Sequence, residues 1–268
     1  MKKILIFLSI VATFLCVNSC TYAQVVPDKR EIKLVVNPGQ ETKGSLILEN
    51  LSDRDETIKA YFEDFIYSAP YAGIKKFHPL GTLKRSCGKW ISIFPENFIL
   101  PEKTKQQVSF TIKTPKEAKG GYYALLFFER GQAAASSDKG IGLVVRTGVS
   151  LFVETADATR KGEIKEIIVE KGAISGTLLN SGNVVLISQG TFNIIDKKGM
   201  IFDRGNIKKF YIPEQEQAKF TVNVTDKLPV GSFTLVINFD LESGKPIIKE
   251  VDFSKDKAGN LKILKITD

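Results

Sequence analysis

Apolar and polar residues alternate along short runs through most of this chain, and turn-forming residues separate the runs. The first runs, at residues 31–36, 44–49 and 56–64, are rich in β-branched residues and are bounded by Asn, Pro, Gly and Asp, as strands are. Similar runs predict strands at residues 90–94, 106–113, 121–129, 142–153, 162–170, 173–180, 184–196, 207–212, 218–224, 231–240, 247–253 and 261–266. The 3.6-residue period of an amphipathic helix is nearly absent, so the pattern predicts an all-β protein.

Two segments of the chain repeat each other. Residues 98–102 (FILPE) match residues 210–214 (FYIPE), and Phe110 and Phe220 follow at equivalent positions, with a difference in numbering of 220 − 110 = 110. About 110 residues is the size of one β-sandwich domain rather than of a solenoid repeat. We therefore expect both phenylalanines to be buried, each in the core of its own copy.

A looser match precedes these segments, because Asn50 corresponds to Asn180 with a difference in numbering of 180 − 50 = 130. The first copy is therefore longer by 130 − 110 = 20 positions, which we place in an irregular insertion at residues 65–89. With about seven short strands per copy, the chain is predicted to form two tandem immunoglobulin-like β-sandwich domains. Their predicted bounds are residues 24–155 and 162–268, joined by a polar linker.

Residues 1–23 have the parts of an export signal. Lys2 and Lys3 precede an apolar run at residues 4–17, and Thr21-Tyr-Ala23 provides a small-residue cleavage site. In a competing interpretation, residues 17–20 (VNSC) are a lipoprotein box and the chain is tethered through Cys20. Both interpretations predict an exported protein, in the periplasm or at the cell surface, and no second apolar run approaches the roughly twenty residues that span a bilayer.

The processed chain carries a moderate positive charge. Without Lys2 and Lys3 it has 38 − 2 = 36 basic and 30 acidic side chains, and the basic residues are dispersed. Nucleic-acid binding requires clustered basic residues interleaved with stacking aromatic residues, and it is therefore not expected. An anionic cell-wall polymer is compatible with this charge.

Catalytic and metal-binding chemistry is not expected, and neither is a cofactor. His78 is the chain's single histidine, which excludes a metal site built from several histidines. Glu63 and Asp64 are neighbours on a predicted strand and face opposite ways, so they do not form an acid–base pair. Cys87 is the one cysteine that remains after cleavage at residue 23, and we interpret it as an unreactive thiol.

Several of these features together resemble the N-terminal domain of the periplasmic pilus chaperones, the PapD-like superfamily. They are the turn at Pro38-Gly39, the strand ending at Asn50, the opening at Trp90, and the segments at residues 98–101 and 121–125. The resemblance implies a non-catalytic chaperone whose strand completes the sandwich of a pilin subunit. It also implies two basic residues that grip the C-terminal carboxylate of the subunit.

The last predicted strand of the first domain, at residues 142–153, has the alternation that the resemblance implies for a partner-binding edge. The candidate residues on this edge are Leu143, Val145, Thr147 and Val149. The same alternation is explained if this face simply fills the core of its own domain. The basic anchors of the family fall at Leu34 and near Ser150, whereas Arg30 and Arg146 lie nearby but displaced.

The insertion at residues 65–89 supports a second hypothesis. Its aromatic and basic side chains, which include Tyr67, Tyr71, Lys75 and Lys76, are of the types that engage a glycan or an anionic polymer. They are also explained if the aromatic residues cap the sandwich and the lysines are solvated. The two function hypotheses are thus binding of another envelope or surface protein, and a surface adhesion or cell-wall polymer-binding module.

The signal sequence gives the first testable prediction. Mass spectrometry of the protein from its native host is expected to show an N-terminus at Gln24, because the Thr21-Tyr-Ala23 site lies a suitable distance beyond the apolar run. A diacylated Cys20 at the N-terminus would contradict this prediction and identify the protein as a lipoprotein.

Overall fold

A computed structural model of the chain describes residues 24–130 and 144–267, where the fold consists of two tandem immunoglobulin-like β-sandwiches, as predicted. The strands of the first sandwich are β1 (Val25–Pro27), β2 (Glu31–Val36), β3 (Glu41–Asn50), β4 (Glu56–Tyr67), β5 (Lys75–His78), β6 (Ile91–Phe94), β7 (Asn97–Leu100), β8 (Lys105–Lys113), β9 (Gly121–Arg130) and β10 (Val145–Thr155). The strands of the second are β11 (Gly162–Glu170), β12 (Ala173–Asn180), β13 (Leu186–Ile195), β14 (Ile201–Ile212), β15 (Gln217–Asn223), β16 (Gly231–Asp240), β17 (Ile247–Lys255) and β18 (Leu261–Thr267). The exact domain bounds stay a prediction.

The first sandwich contains a four-stranded sheet in the order β1-β3-β8-β6, which faces a sheet in the order β2-β10-β9-β4-β5, with β7 also paired to β4. The chain changes sheet between β1 and β2, because Val25–Pro27 pairs with β3 and Glu31–Val36 pairs in parallel with β10. The second sandwich contains a three-stranded sheet, β11-β12-β15, and a five-stranded sheet, β14-β13-β16-β17-β18.

Each sandwich has its own core, and the two repeated phenylalanines lie in them. Phe110 is 2% exposed and Phe220 is 1% exposed, which confirms their predicted burial. Each ring lies over a glycine of the adjacent strand, Gly44 for Phe110 and Gly176 for Phe220. A Cβ atom at these glycines would lie 2.3 Å and 2.7 Å from the ring Cζ atoms, so the glycines make room for the rings.

The repeat extends to the matched asparagines, Asn50 and Asn180. Both are fully buried. The Asn50 Nδ2 donates to the Leu100 carbonyl at 3.0 Å, and the Asn180 Nδ2 donates to the Ile212 carbonyl at 2.9 Å. In both copies the side-chain oxygen accepts a hydrogen bond from the N–H two residues further on. Each asparagine therefore joins the end of one strand to the end of another, and this role explains why the motif recurs.

The insertion at residues 65–89 is more regular than predicted. β4 continues to Tyr67 and forms a hairpin with β5, with Tyr67 opposite Lys75. The loop that follows is fixed by the buried carboxylate of Asp64, which accepts hydrogen bonds from the N–H groups of Thr82 at 2.9 Å and Leu83 at 3.0 Å. The prediction of an irregular segment was wrong for the hairpin, since the alternation of β5 is too short to detect.

Trp90 and Cys87 lie at the end of this insertion. Trp90 ends a 3₁₀ turn, Gly88–Trp90, rather than opening a strand, and its ring packs 4.4 Å from that of Tyr122 against the first core. Cys87 is fully buried in the same core, and burial raises the pKa of its thiol. Its environment therefore disfavours the reactive thiolate at neutral pH.

The separate cores give the second testable prediction. Phe110→Ala and Phe220→Ala are each expected to lower the free energy of unfolding by about 3–5 kcal/mol, because each leaves a cavity in a packed core. In differential scanning calorimetry, each substitution should mainly lower one of two unfolding transitions. Equal displacement of both transitions by either substitution would contradict separate cores.

Candidate binding edge and interdomain cleft

Among the described residues, the last strand of the first sandwich has a strand partner along nearly its whole length on one side and along only about half of its length on the other. β9 pairs with β10 from Val145 to Glu154, whereas β2 pairs with it only from Ser150 to Thr155. Within residues 24–130 and 144–267, no strand forms a ladder with residues 145–149 on the side of β2. We name residues 145–149 the open edge of β10.

The hydrogen bonds at the end of β2 show which backbone groups the open edge presents. The Ser150 N–H donates to the Arg30 carbonyl at 3.1 Å, so it points toward β2. Because successive N–H groups of a strand point to opposite sides, Arg146 and Gly148 also point this way, while Thr147 points toward β9. The register between β9 and β10 is unbroken, which keeps this alternation intact.

The side chains of the predicted edge residues lie in different environments. Val149 is fully buried in the core of its own sandwich, as are Leu151 and Val153. Val145 and Thr147 are partly buried, and Leu143 lies outside the described residues. The alternation therefore reflects core packing at Val149, and what the open edge offers a partner is chiefly its backbone.

A groove of about 480 Å³ runs beside the open edge. Leu125 and Phe127 of β9 and Phe77 of β5 form its apolar wall, and Thr147, Gly148 and Ser150 form its β10 side. Strand β1 and Arg30 also line the groove, and the Thr147 Oγ1 donates to the Val25 carbonyl at 3.4 Å. The groove thus places an apolar surface next to unpaired backbone groups, which is the arrangement that strand addition requires.

Two cations, Arg30 and Lys75, line this groove. Among the described residues, the guanidinium of Arg30 has neither a hydrogen-bond nor an ion-pair partner. The Lys75 Nζ lies 5.3 Å and 5.4 Å from the ring centroids of Phe65 and Tyr67. Burial lowers the pKa of Lys75, and the charge of Glu31 partly offsets this effect. An anion beside these two cations would therefore be favoured electrostatically.

Arg146, which the sequence placed near the family's anchor, is already engaged. Its Nη1 donates to Glu63 at 2.8 Å and to the Tyr61 hydroxyl at 3.2 Å, and its guanidinium lies 4.5 Å from the Phe127 ring centroid. Leu34, at the other anchor position, is opposite Val153 and packs against the first core. Position 34 is therefore not basic, and the cation of Arg146 is already paired.

An ion-pair network that the sequence did not predict crosses from the first sandwich to the second. The ammonium of Lys33, next to Leu34, pairs with Glu31 at 3.1 Å and with Glu242 of the second sandwich. Glu242 also accepts from Lys209 at 3.3 Å. No local pattern joins residues 33 and 242, so only the folded arrangement of the two sandwiches reveals this contact.

The insertion fastens the two sandwiches together. The Tyr67 ring stacks on that of Tyr211 with centroids 4.9 Å apart, and the Tyr71 carbonyl accepts a hydrogen bond of 2.8 Å from the Tyr211 N–H. The Arg85 Nε donates to Glu214 at 2.9 Å. These contacts enclose an apolar cluster, whose buried members are Phe65, Tyr67, Tyr123, Leu125, Phe127, Phe152, Val185 and Ile187.

The four residues of the polymer-binding hypothesis are therefore not presented together. Tyr67 is 3% exposed and lies between the sandwiches. The Tyr71 hydroxyl donates to Glu216 at 2.7 Å, and burial together with this hydrogen bond raises the pKa of Tyr71 to about 12. Lys75 is partly buried in the groove, and of the four residues only Lys76 is both exposed and basic.

The described part of the chain contains no group of three or more His, Cys, Asp or Glu side chains placed to hold a metal ion. It also contains no helix long and apolar enough to cross a bilayer. His78 lies on β5 opposite Asp64, whose carboxylate is occupied by the loop described above.

No protein-family model matches the chain, and no curated protein matches it. Several solved structures match it. The class 5 fimbriae chaperone CfaA is 14% identical, covers 84% of this chain and 97% of its own, and superposes with a TM-score of 0.51. A chain from the chaperone–tip adhesin complex of CFA/I fimbriae biogenesis is also 14% identical with the same coverage and a TM-score of 0.50. The chain therefore has the fold of the PapD-like fimbrial chaperones, which confirms the resemblance at the level of the fold.

The Lys33–Glu242 pair gives the third testable prediction. Partial burial acts to raise the pKa of Glu242, but the hydrogen bonds and charges of Lys33 and Lys209 outweigh it and lower the pKa below its ordinary value of 4.5. The pair therefore stabilises the fold above pH 4.5 and loses this effect as the pH falls through the lowered pKa.

We expect Glu242→Gln to melt below the parent at pH 7, and the difference to shrink as the pH falls below 4.5. The measurement is the melting temperature across pH 3–7, with Glu117→Gln, an exposed carboxylate that has no ion-pair partner among the described residues, as the matched control. A difference that stays constant with pH would show that the ion pair does not contribute.

Proposed function

We propose that this chain is an exported, non-catalytic protein that binds another envelope or surface protein by strand addition at the open edge of β10. The proposal rests on one observation: the outward backbone groups of Arg146 and Gly148 have no strand partner among the described residues, and they lie beside an apolar groove. The fold supports the proposal, because this chain has the same fold as fimbrial chaperones, one of which is described in complex with a tip adhesin.

Strand addition separates affinity from specificity. A partner strand beside residues 145–149 takes up the outward N–H and C=O groups of Arg146 and Gly148, which gives affinity that does not depend on sequence. Every second side chain of that strand then faces the groove, where Phe77 and Phe127 offer an apolar surface. The partner segment is therefore expected to be extended, with apolar residues at alternate positions.

The cations suggest where this segment ends. Arg30 and Lys75 lie where β2 begins to pair with β10, so an added strand cannot continue past Ser150 without displacing β2. A terminal carboxylate at this point would pair with Arg30 and would favour the charged form of Lys75. We therefore propose a C-terminal carboxylate as the end of the bound segment, held by a different pair of cations from the one the family resemblance implies.

The open edge gives the fourth testable prediction. Gly148→Pro removes an outward-facing N–H and is expected to abolish partner capture, with a melting temperature close to that of Gly148→Ala, because both variants add a Cβ atom 3.2 Å from the Leu125 Cδ2. Gly148→Ala is the matched control, because it adds a Cβ atom but keeps the N–H. Thr147→Pro removes a hydrogen bond to β9 and is expected to destabilise the sandwich itself.

Capture is measured by pull-down from envelope extracts of the native host, with the bound protein identified by mass spectrometry. Retained capture by a folded Gly148→Pro variant would contradict strand addition. A Lys76→Ala variant tests the adhesion and polymer-binding alternative, since Lys76 is exposed on the hairpin and does not line the groove. Loss of binding to cell-wall material in that variant, with the Gly148→Pro variant unaffected, would favour the alternative.

A further inference from the structure

Four turns meet at the end of the second sandwich that lies farthest from the first. Strand β13 runs from Leu186, beside the interdomain cluster, to Ile195, about 30 Å away at 3.3 Å per residue. Ile195 is paired with Ile201 on one side and with Thr234 on the other. This register brings together the turns at residues 171–172, 196–200, 224–230 and 256–260, which we name the distal end.

The distal end exposes large apolar side chains. Met200 is 58% exposed, Ile201 is 53% exposed and Val230 is 60% exposed. Phe202 is also partly exposed, with its ring edge-on to Phe233 at 5.4 Å between centroids. Neighbouring exposed apolar residues at one tip differ from the single exposed residues found over an ordinary surface, and such patches mark interaction sites.

The fold holds these side chains outward. The ammonium of Lys255 donates to the carbonyls of Asp226 at 3.0 Å and Leu228 at 2.9 Å, which fixes the 224–230 turn. Leu228 is buried, whereas Val230 two residues later points to solvent. In the 196–200 turn, the Asp196 carboxylate accepts the N–H of Met200 at 2.9 Å. The exposure therefore follows from a bonded framework.

Each turn of the distal end also carries at least one exposed lysine. They are Lys171, Lys197, Lys198, Lys227 and Lys257. Among the described residues, no carboxylate lies within 4.0 Å of the ammonium groups of Lys197, Lys198, Lys227 or Lys257. Their charges are thus available to an anionic partner.

The carboxylates of the same turns are mostly engaged with the protein itself. The Asp196 carboxylate accepts from two backbone N–H groups of its turn, and so does that of Asp256. Glu170 is paired with Lys219. Asp226 is the remaining acidic residue of the four turns. The four turns therefore carry five lysines against three aspartates, a net charge of 5 − 3 = +2.

We propose that the distal end docks on the surface of an anionic phospholipid bilayer, with Met200, Ile201 and Val230 entering the headgroup region and the lysines facing the phosphates. Protruding apolar tips surrounded by lysines suit a deformable anionic surface, because apolar area and charge both add to the affinity for a membrane interface. A second copy of the chain is a poor occupant, since the lysines of two distal ends repel each other. Docking at this end leaves the open edge of β10 accessible, one strand length or more away.

The test is co-sedimentation of the chain expressed from Gln24 with vesicles of phosphatidylcholine alone or of a two-to-one mixture of phosphatidylcholine and phosphatidylglycerol. Without the N-terminal residues, neither the signal sequence nor Cys20 contributes to binding. We expect binding to the anionic vesicles only, and weaker binding at high salt. At roughly fivefold per lysine, Lys197→Gln with Lys198→Gln is expected to lower the partition coefficient by about twenty-five-fold. Lys105→Gln with Lys113→Gln, on the first sandwich, is the matched control and should bind like the parent.

A fluorescent label tests insertion separately. The chain expressed from Gln24 lacks Cys16 and Cys20, and its Cys87 is buried. A Met200→Cys variant of it therefore has one accessible thiol for an environment-sensitive dye. We expect its emission to shift to the blue on anionic vesicles, whereas the dye on a Phe94→Cys variant, at a 77% exposed site of the first sandwich, should not shift. Equal binding to both vesicle types, no binding to either, or parental binding by the double lysine variant would overturn the proposal.

Discussion

The proposed function depends on one constraint of strand pairing: β2 pairs with β10 only from Ser150 onward, and not with residues 145–149. The preceding strand, β1, belongs to the other sheet, and the crossing is fixed at Asp28, whose N–H donates to the Ile47 carbonyl at 2.8 Å and whose carboxylate accepts the Ile47 N–H at 2.9 Å. One segment cannot pair with both sheets at the same residues. Among the described residues, the part that completes the first sheet therefore leaves residues 145–149 without a strand partner on this side.

The interdomain contact and the groove share the same side chains. Leu125 and Phe127 form the groove wall and also belong to the apolar cluster between the sandwiches. The hairpin of β4 and β5 supplies Phe77 and Lys75 to the groove, while its base stacks Tyr67 on Tyr211. The shape of the groove is therefore coupled to the position of the second sandwich. A bound strand that moved this wall would also act on the interdomain contacts.

The fold could be predicted from the sequence because the same residues recur in both copies for the same structural reason. Each copy has a buried phenylalanine over a glycine and a buried asparagine that joins two strand ends. The sequence did not predict β1, β5 or β7, since such short strands show too little alternation to detect. It predicted a strand at residues 142–153, and the structure has β10 at Val145–Thr155, with residues 142 and 143 outside the described residues. It could not show that Val149 points into the core while Gly148 offers its N–H, nor that Lys33 pairs with Glu242, because these depend on register and on contacts between sandwiches.

The most direct test of the central claim is amide hydrogen exchange in the free protein, resolved residue by residue by NMR. If half of β10 is open, the N–H groups of Arg146 and Gly148 should exchange rapidly, while those of Thr147 and Val149, bonded to β9, should be protected. The protection of Ser150, which donates to Arg30, marks where β2 begins. Uniform protection from Val145 to Val149 would show that the edge is already covered and would contradict the account.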